Sequence, residues 1–169
     1  HEVPASTLLL KATAFGYELT RRIYRDRFTA RGIDPARIRF APHTLFVREH
    51  YAQYHTVDIA LDPFPYNGTT TNCDALWMGV PIITLRGSLH AGRVGASLLT
   101  AVGLHDLVAS TPDELIATAK SLAADHARRA SLRTSLRSTF TASALGDAPR
   151  YAAKIQAALR NLWREHCAR

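Results

Sequence analysis

Cysteine is scarce in this 169-residue chain: Cys73 and Cys167 are the only two, far apart and outside any metal-ligand spacing. They read as free thiols in a reducing compartment, so a cytoplasmic location is expected. The eight histidines form no H-x-x-x-H or H-E-x-x-H pair, so no metal site built by the protein is expected. There is no G-x-x-x-x-G-K-[ST] and no G-x-G-x-x-G, which excludes a P-loop NTPase and an ordinary dinucleotide site. No Asp-x-Asp pair is present to hold a metal on a diphosphate, and no apolar run reaches membrane-spanning length. A methionine start is also lacking; the chain opens His1-Glu2-Val3 and is expected to be a piece of a longer protein.

Acidic residues are scarce in the last quarter. Residues 1–125 balance 12 Lys/Arg against 12 Asp/Glu, whereas 126–169 carry 9 Lys/Arg and only Asp147 and Glu165, so the net charge of +7 sits at the C-terminal end. No aromatic-basic interleaving pattern accompanies this charge, so nucleic acid is not expected as a partner. Solvated helix faces, or a surface for an acidic partner, are the readings that remain.

Short apolar runs alternate with helical patterns along the rest of the chain. Strands are expected at 7–12, around 38–40, at 57–62, at 81–85 and at 107–109. Helices are expected at 17–31, at about 46–55, after Gly68, at 93–103, from Thr111 to about 126 and on to about 139, and at about 148–166. The length suits one domain spanning 1–169. The alternation predicts an α/β fold, a doubly wound Rossmann-like parallel sheet with helices on both faces, closed by a long C-terminal helix. That last helix carries Tyr151, Ile155, Leu159, Leu162 and Trp163 on one stripe.

The stretch FPYNGTTTNCDALWMGVP, residues 64–81, falls between the third and fourth strands, on the edge where such sheets bind ligands. Threonine is a poor helix-interior residue and a good helix start, yet Thr69, Thr70 and Thr71 stand side by side. One hydroxyl can cap; the others are free to donate to phosphate oxygens, beside the first-turn N–H groups. Asn67-Gly68 supplies a turn that lets backbone approach a ligand. Asp74 follows Thr70 by four residues, one turn up the same face and roughly 5 Å along the axis. A carboxylate there suits a ribose diol; equally, it could only favour the helix dipole. Lys11, ending the first strand, and Arg93, near the start of the helix after the fourth, could each reach an anion. Cys73 reads as a packing residue, and His90 and His105 have no partner by spacing.

DIALDPFPYNGTTTNCDALWMGVPIITLRG, followed by HAGRVGASLLTAVGL, resembles the O-linked N-acetylglucosamine transferase/SPINDLY family of glycosyltransferases, in the C-terminal half of their two-lobed GT-B catalytic region. The likeness runs from RIRFAP to the terminal tryptophan-bearing helix. It implies metal-independent, inverting transfer of a sugar from a nucleoside diphosphate, most simply N-acetylglucosamine from UDP-GlcNAc, to protein Ser/Thr hydroxyls. GDP-sugars are used by relatives too, and no cofactor is implied. By resemblance, Thr69, Thr70 and Thr71 hold the pyrophosphate, Asp74 the ribose, and His50 lies near the base. Three positions depart from the family pattern: Thr69 replaces the histidine of animal enzymes, Val47 or Arg48 stands near a family lysine, and Gln53 replaces an arginine. The N-terminal lobe, a lysine at the start of this lobe and tetratricopeptide repeats are expected outside this chain, which by itself is expected to be inactive and to hold no catalytic residue. The alternative is a non-catalytic interaction module that uses its basic C-terminal helices against an acidic partner.

Overall fold

A computed structural model describes residues 2–168. Five strands and seven α-helices alternate: β1 (Leu8–Lys11), α1 (Glu18–Thr29), β2 (Ile38–Ala41), α2 (Val47–Gln53), β3 (Ala60–Leu61), α3 (Thr70–Trp77), β4 (Ile82–Leu85), α4 (Val94–Ala101), β5 (Val108–Ala109), α5 (Pro112–Ala124), α6 (His126–Ala142) and α7 (Ala148–Cys167). All strand pairs are parallel, and helices lie on both sides, so the doubly wound α/β architecture stands.

β4 is the centre of the fold. All four of its residues are buried, and it pairs with β3 on one side and β5 on the other. A largely β-branched run, apolar except for Thr84, suits a strand covered on both faces. Leu76 of α3, Leu99 of α4, Leu122 of α5 and Leu136 of α6 converge on Ile82 and Ile83, each nearly or fully removed from water.

Two expectations need correction. The strands form two ladders, β1–β2 and β3–β4–β5, which are not hydrogen-bonded to each other. β3 is only two residues long, and the N–H groups of Ala60 and Asp62 are spent on the carbonyls of Pro81 and Ile83 in the β4 segment. The terminal helix forms where expected, but it does not close the lobe within this chain: every residue of α7 is exposed, Trp163 by 66% and Leu159 by 62%. The core is covered by α5 and α6, whose Leu122 and Leu136 belong to it, and no residue of α7 joins it.

The basic C-terminal region is also less free than its composition implies. On α6, Arg133 donates to the carbonyls of Tyr54, Met78 and Val57, and Arg137 donates to the Trp77 carbonyl at 2.9 Å while lying over the indole. Arg129 donates to the carbonyls of Leu122 and Ala123, and Arg128 pairs with Asp106. Four of the excess cations therefore act as internal staples, a use that suits the planar, many-donor guanidinium. No described helix is long and apolar enough to cross a membrane.

Three glycines follow helices in the left-handed region, Gly32 and Gly79 at φ 75° and Gly103 at φ 78°. A Cβ on Gly103 would meet nothing, whereas one on Gly79 would stand 2.4 Å from the Arg133 carbonyl oxygen. Gly103→Ala is therefore expected to cost about 1–2 kcal/mol, the left-handed penalty alone. Gly79→Ala should cost clearly more, because α6 must also move; urea unfolding of the two variants checks the order.

Candidate functional site

The segment between β3 and α3 is shaped by a buried carboxylate. Asp62, 7% exposed, accepts the Gly68 N–H on Oδ1 at 2.8 Å and the Thr84 hydroxyl on Oδ2 at 2.7 Å. Gly95 of α4 makes room for it, since a Cβ there would sit 2.0 Å from Oδ2. Asn67 is buried too. Its Nδ2 donates to the Pro63 carbonyl at 2.9 Å, and its Oδ1 accepts the Gly95 N–H at 3.2 Å. Asn67 thus braces the turn from within, while Gly68 is glycine because a Cβ would lie 2.5 Å from Thr71 Oγ1. Asp62, Thr84 and Gly95 were not singled out in the sequence. The one signal was an acid at a strand end directly before Pro63.

Thr69, Thr70 and Thr71 are exposed at the start of α3. The expected cap is absent: Thr69 occupies the N-cap position but makes no side-chain cap bond. Its ψ of −76° is the reason, because capping needs an extended N-cap residue whose hydroxyl folds back over the first turn. All three residues are exposed and their hydroxyls have no hydrogen-bond partner among the described residues, with Thr71 Oγ1 lying over Gly68; beside them are N–H groups that have no carbonyl within the helix. An edge of unspent neutral donors at a helix N-terminus is suited to an anion.

A chain of polar side chains runs beside this edge. Lys11, at the carboxyl end of β1, places Nζ 2.6 Å from His50 Nδ1 and 3.4 Å from Thr44 Oγ1. His50, on α2, places Nε2 3.2 Å from Asp74 Oδ2. The Tyr51 hydroxyl donates to Asp74 Oδ1 at 3.1 Å, and the Tyr54 hydroxyl donates to the Thr71 carbonyl at 3.3 Å. Lys11, His50 and Asp74, dispersed in sequence, thus meet at one place. Arg133 holds the ends of the two helices that carry His50 and Asp74, through the carbonyls of Tyr54 and Met78.

The neighbours' acidities follow from burial and from this cluster. Burial, then the Asp74 charge, pushes the Tyr54 phenol up to about 12. The hydrogen bond to Asp74, followed by its charge, raises Tyr51, so both phenols remain donors at neutral pH. Burial lowers the Lys11 ammonium while Asp74 partly restores it. Burial and then Asp74 raise the Cys73 thiol, which suits the packing role expected of it.

Arg93 is exposed at the start of α4, next to the segment whose Ala91 carbonyl accepts the Asn67 N–H. Its guanidinium does not join the Lys11–His50–Asp74 chain. Val47 is exposed, and Gln53 Oε1 is buried without a partner. Among the described residues, no three His, Cys, Asp or Glu side chains gather as a metal site requires.

Comparison with known proteins bears on this geometry. Residues 1–155 match the family model of glycosyl transferase family 41. The chain is 40% identical over 165 residues to the "probable UDP-N-acetylglucosamine–peptide N-acetylglucosaminyltransferase SPINDLY" of Petunia hybrida, covering 98% of this chain and 18% of that protein. It is 34% identical to the UDP-N-acetylglucosamine–peptide N-acetylglucosaminyltransferase of Caenorhabditis elegans, covering 97% of this chain and 14% of that one. A solved structure of a mutant O-GlcNAc transferase from Thermobaculum terrenum superposes with a TM-score of 0.90 at 34% identity, over 97% of this chain and 31% of the other. The chain therefore spans less than a fifth of the length of these curated relatives.

Two outcomes follow from the site's construction. Asp62→Ala leaves the Gly68 N–H and the Thr84 hydroxyl without acceptors and is expected to cost about 2–4 kcal/mol, whereas Asp62→Asn, which can pair with both, should cost under about 1.5 kcal/mol; thermal unfolding separates them. With iodoacetamide at mildly alkaline pH, exposed Cys167 should be alkylated well before Cys73, whose thiol keeps its proton. Mass spectrometry of timed digests reads the order.

Proposed function

This chain belongs to glycosyl transferase family 41, the family of the O-GlcNAc transferases and SPINDLY proteins, and from that membership we propose that it is the donor-binding half of a metal-independent, inverting glycosyltransferase acting on protein Ser/Thr hydroxyls. The donor in this reading is a nucleoside diphosphate sugar, UDP-GlcNAc before GDP-sugars. The acceptor oxygen attacks the anomeric carbon and forms a new C–O bond, the bond from that carbon to the diphosphate oxygen breaks, and the acceptor proton passes to a group outside this chain. The first lobe of a GT-B enzyme, and the repeats that precede it, supply the remaining parts. The protein is placed in the cytoplasm, a reading that the two free thiols support.

The observation that carries the proposal is the unspent donor edge of α3. A leaving diphosphate develops charge as the glycosidic bond breaks, and preorganised donors aimed at that charge lower the barrier. Thr69, Thr70 and Thr71 hydroxyls, together with the first-turn N–H groups, offer such donors without a metal. Asp74, one turn along, holds the ribose hydroxyls, and His50 lies beside the base. Asn67 and Gly68 contribute by fixing the turn rather than by reaching the ligand with side chains, and Arg93 is a candidate contact for the diphosphate's outer charge.

Calorimetry on the full-length protein with UDP, GDP and their sugars tests this reading. Asp74→Ala should weaken nucleotide binding by about 1–3 kcal/mol, and Thr70→Val with Thr71→Val by a similar amount. Absence of nucleotide binding at millimolar concentration would remove the proposal.

A further inference from the structure

We propose that Lys11 is a positioning residue of the nucleoside site: its ammonium group selects the tautomer of His50, and His50 in turn aims the Asp74 carboxylate. The assignment rests on reading Asp74 as the ribose contact, but its first consequence can be observed without any ligand.

The geometry leaves one consistent proton arrangement. A charged lysine has three donors and no acceptor, so His50 Nδ1, at 2.6 Å from Nζ, must accept. In a neutral imidazole the proton then resides on Nε2, the nitrogen that faces Asp74 Oδ2 at 3.2 Å. The opposite tautomer would turn an N–H toward the ammonium and a lone pair toward the carboxylate, two repulsive contacts in place of two attractive ones. Thr44 accepts a second lysine N–H, which holds Nζ at the strand end.

The consequence reaches the far end of the chain. Asp74 receives His50 on Oδ2 and Tyr51 on Oδ1, one donor on each oxygen. Each carboxylate oxygen has about two acceptor positions, so one is left on each. Two free positions on neighbouring, immobilised oxygens match the adjacent hydroxyls of a ribose. Lys11 thus serves as a charge behind the histidine, which differs from the phosphate contact expected from its place at a strand end.

The test uses the full-length protein with 15N-labelled histidine. Long-range 1H–15N spectra at neutral pH should show His50 as the Nε2–H tautomer. Lys11→Met should lose that single tautomer, and Lys11→Arg, which retains a charged donor, should keep it. With UDP as the probe, Lys11→Met should weaken binding about tenfold, and the arginine variant should recover most of the loss. An Nδ1–H ring in the wild type overturns the assignment, as does an unchanged tautomer or unchanged UDP affinity in Lys11→Met. If Lys11→Met does not fold, Lys11→Ala takes its place, with the same loss of the single tautomer expected and an unchanged tautomer again overturning the assignment. If Lys11→Met loses the tautomer that the wild type shows, yet the wild type binds no UDP, the nucleotide reading falls and the coupling of Lys11 to His50 stands.

Discussion

A carboxylate buried between a backbone N–H and a threonine hydroxyl governs the threonine-bearing edge of this lobe. Asp62 directly follows β3, and its two oxygens reach in different directions, one to Gly68 in the following turn and one to Thr84 in the central strand. A buried charge is tolerated only when its lone pairs are met, so the loop cannot drift without a large penalty. The start of α3 is placed by that turn, and the three threonines are placed by α3. Gly95 enters the same arrangement from the other side, its missing Cβ giving the carboxylate its space. The threonine hydroxyls are thus the last step of a sequence of constraints that begins in the sheet.

A second set of constraints comes from an unexpected quarter. The arginines of α6, which in composition suggest a surface for an acidic partner, mostly turn inward onto carbonyls at helix ends. Unsatisfied carbonyls at a helix C-terminus carry partial negative charge, and a guanidinium fork can serve several at once. Arg133 gathers the ends of α2 and α3 in this way. The functional surface and the basic composition are therefore connected through packing, and the free cationic surface shrinks to α7.

Much of the architecture was legible because it rests on local rules. β4 is a short, largely β-branched run, and the glycines at 32, 79 and 103 stand where helices end, each with a left-handed backbone in the structure. The threonine edge was legible as an anomaly of propensity, although the capping role expected for one threonine fails on backbone geometry. Contacts between distant segments were not legible. Nothing in the sequence joins Lys11 to His50, or Asp62 to Thr84 and Gly95, because these meet only after the strands have paired and the helices packed. Asn67 shows the same limit: a turn residue by its type, it is in fact a buried brace. The separation of the sheet into two ladders and the exposed face of α7 are likewise tertiary facts with no local signature.

The two ladders place the polar chain in an unusual mechanical position. Lys11 belongs to the β1–β2 ladder, whereas Asp74 sits on α3, packed against the β3–β4–β5 ladder. With no strand hydrogen bonds between the ladders, the three side chains act as a rivet across a seam. A molecule seated on this rivet would grip both halves at once, so its binding would stabilise the lobe, and more so as its concentration rises above Kd. Occupancy there and integrity of the fold would then be linked equilibria, each shifting the other.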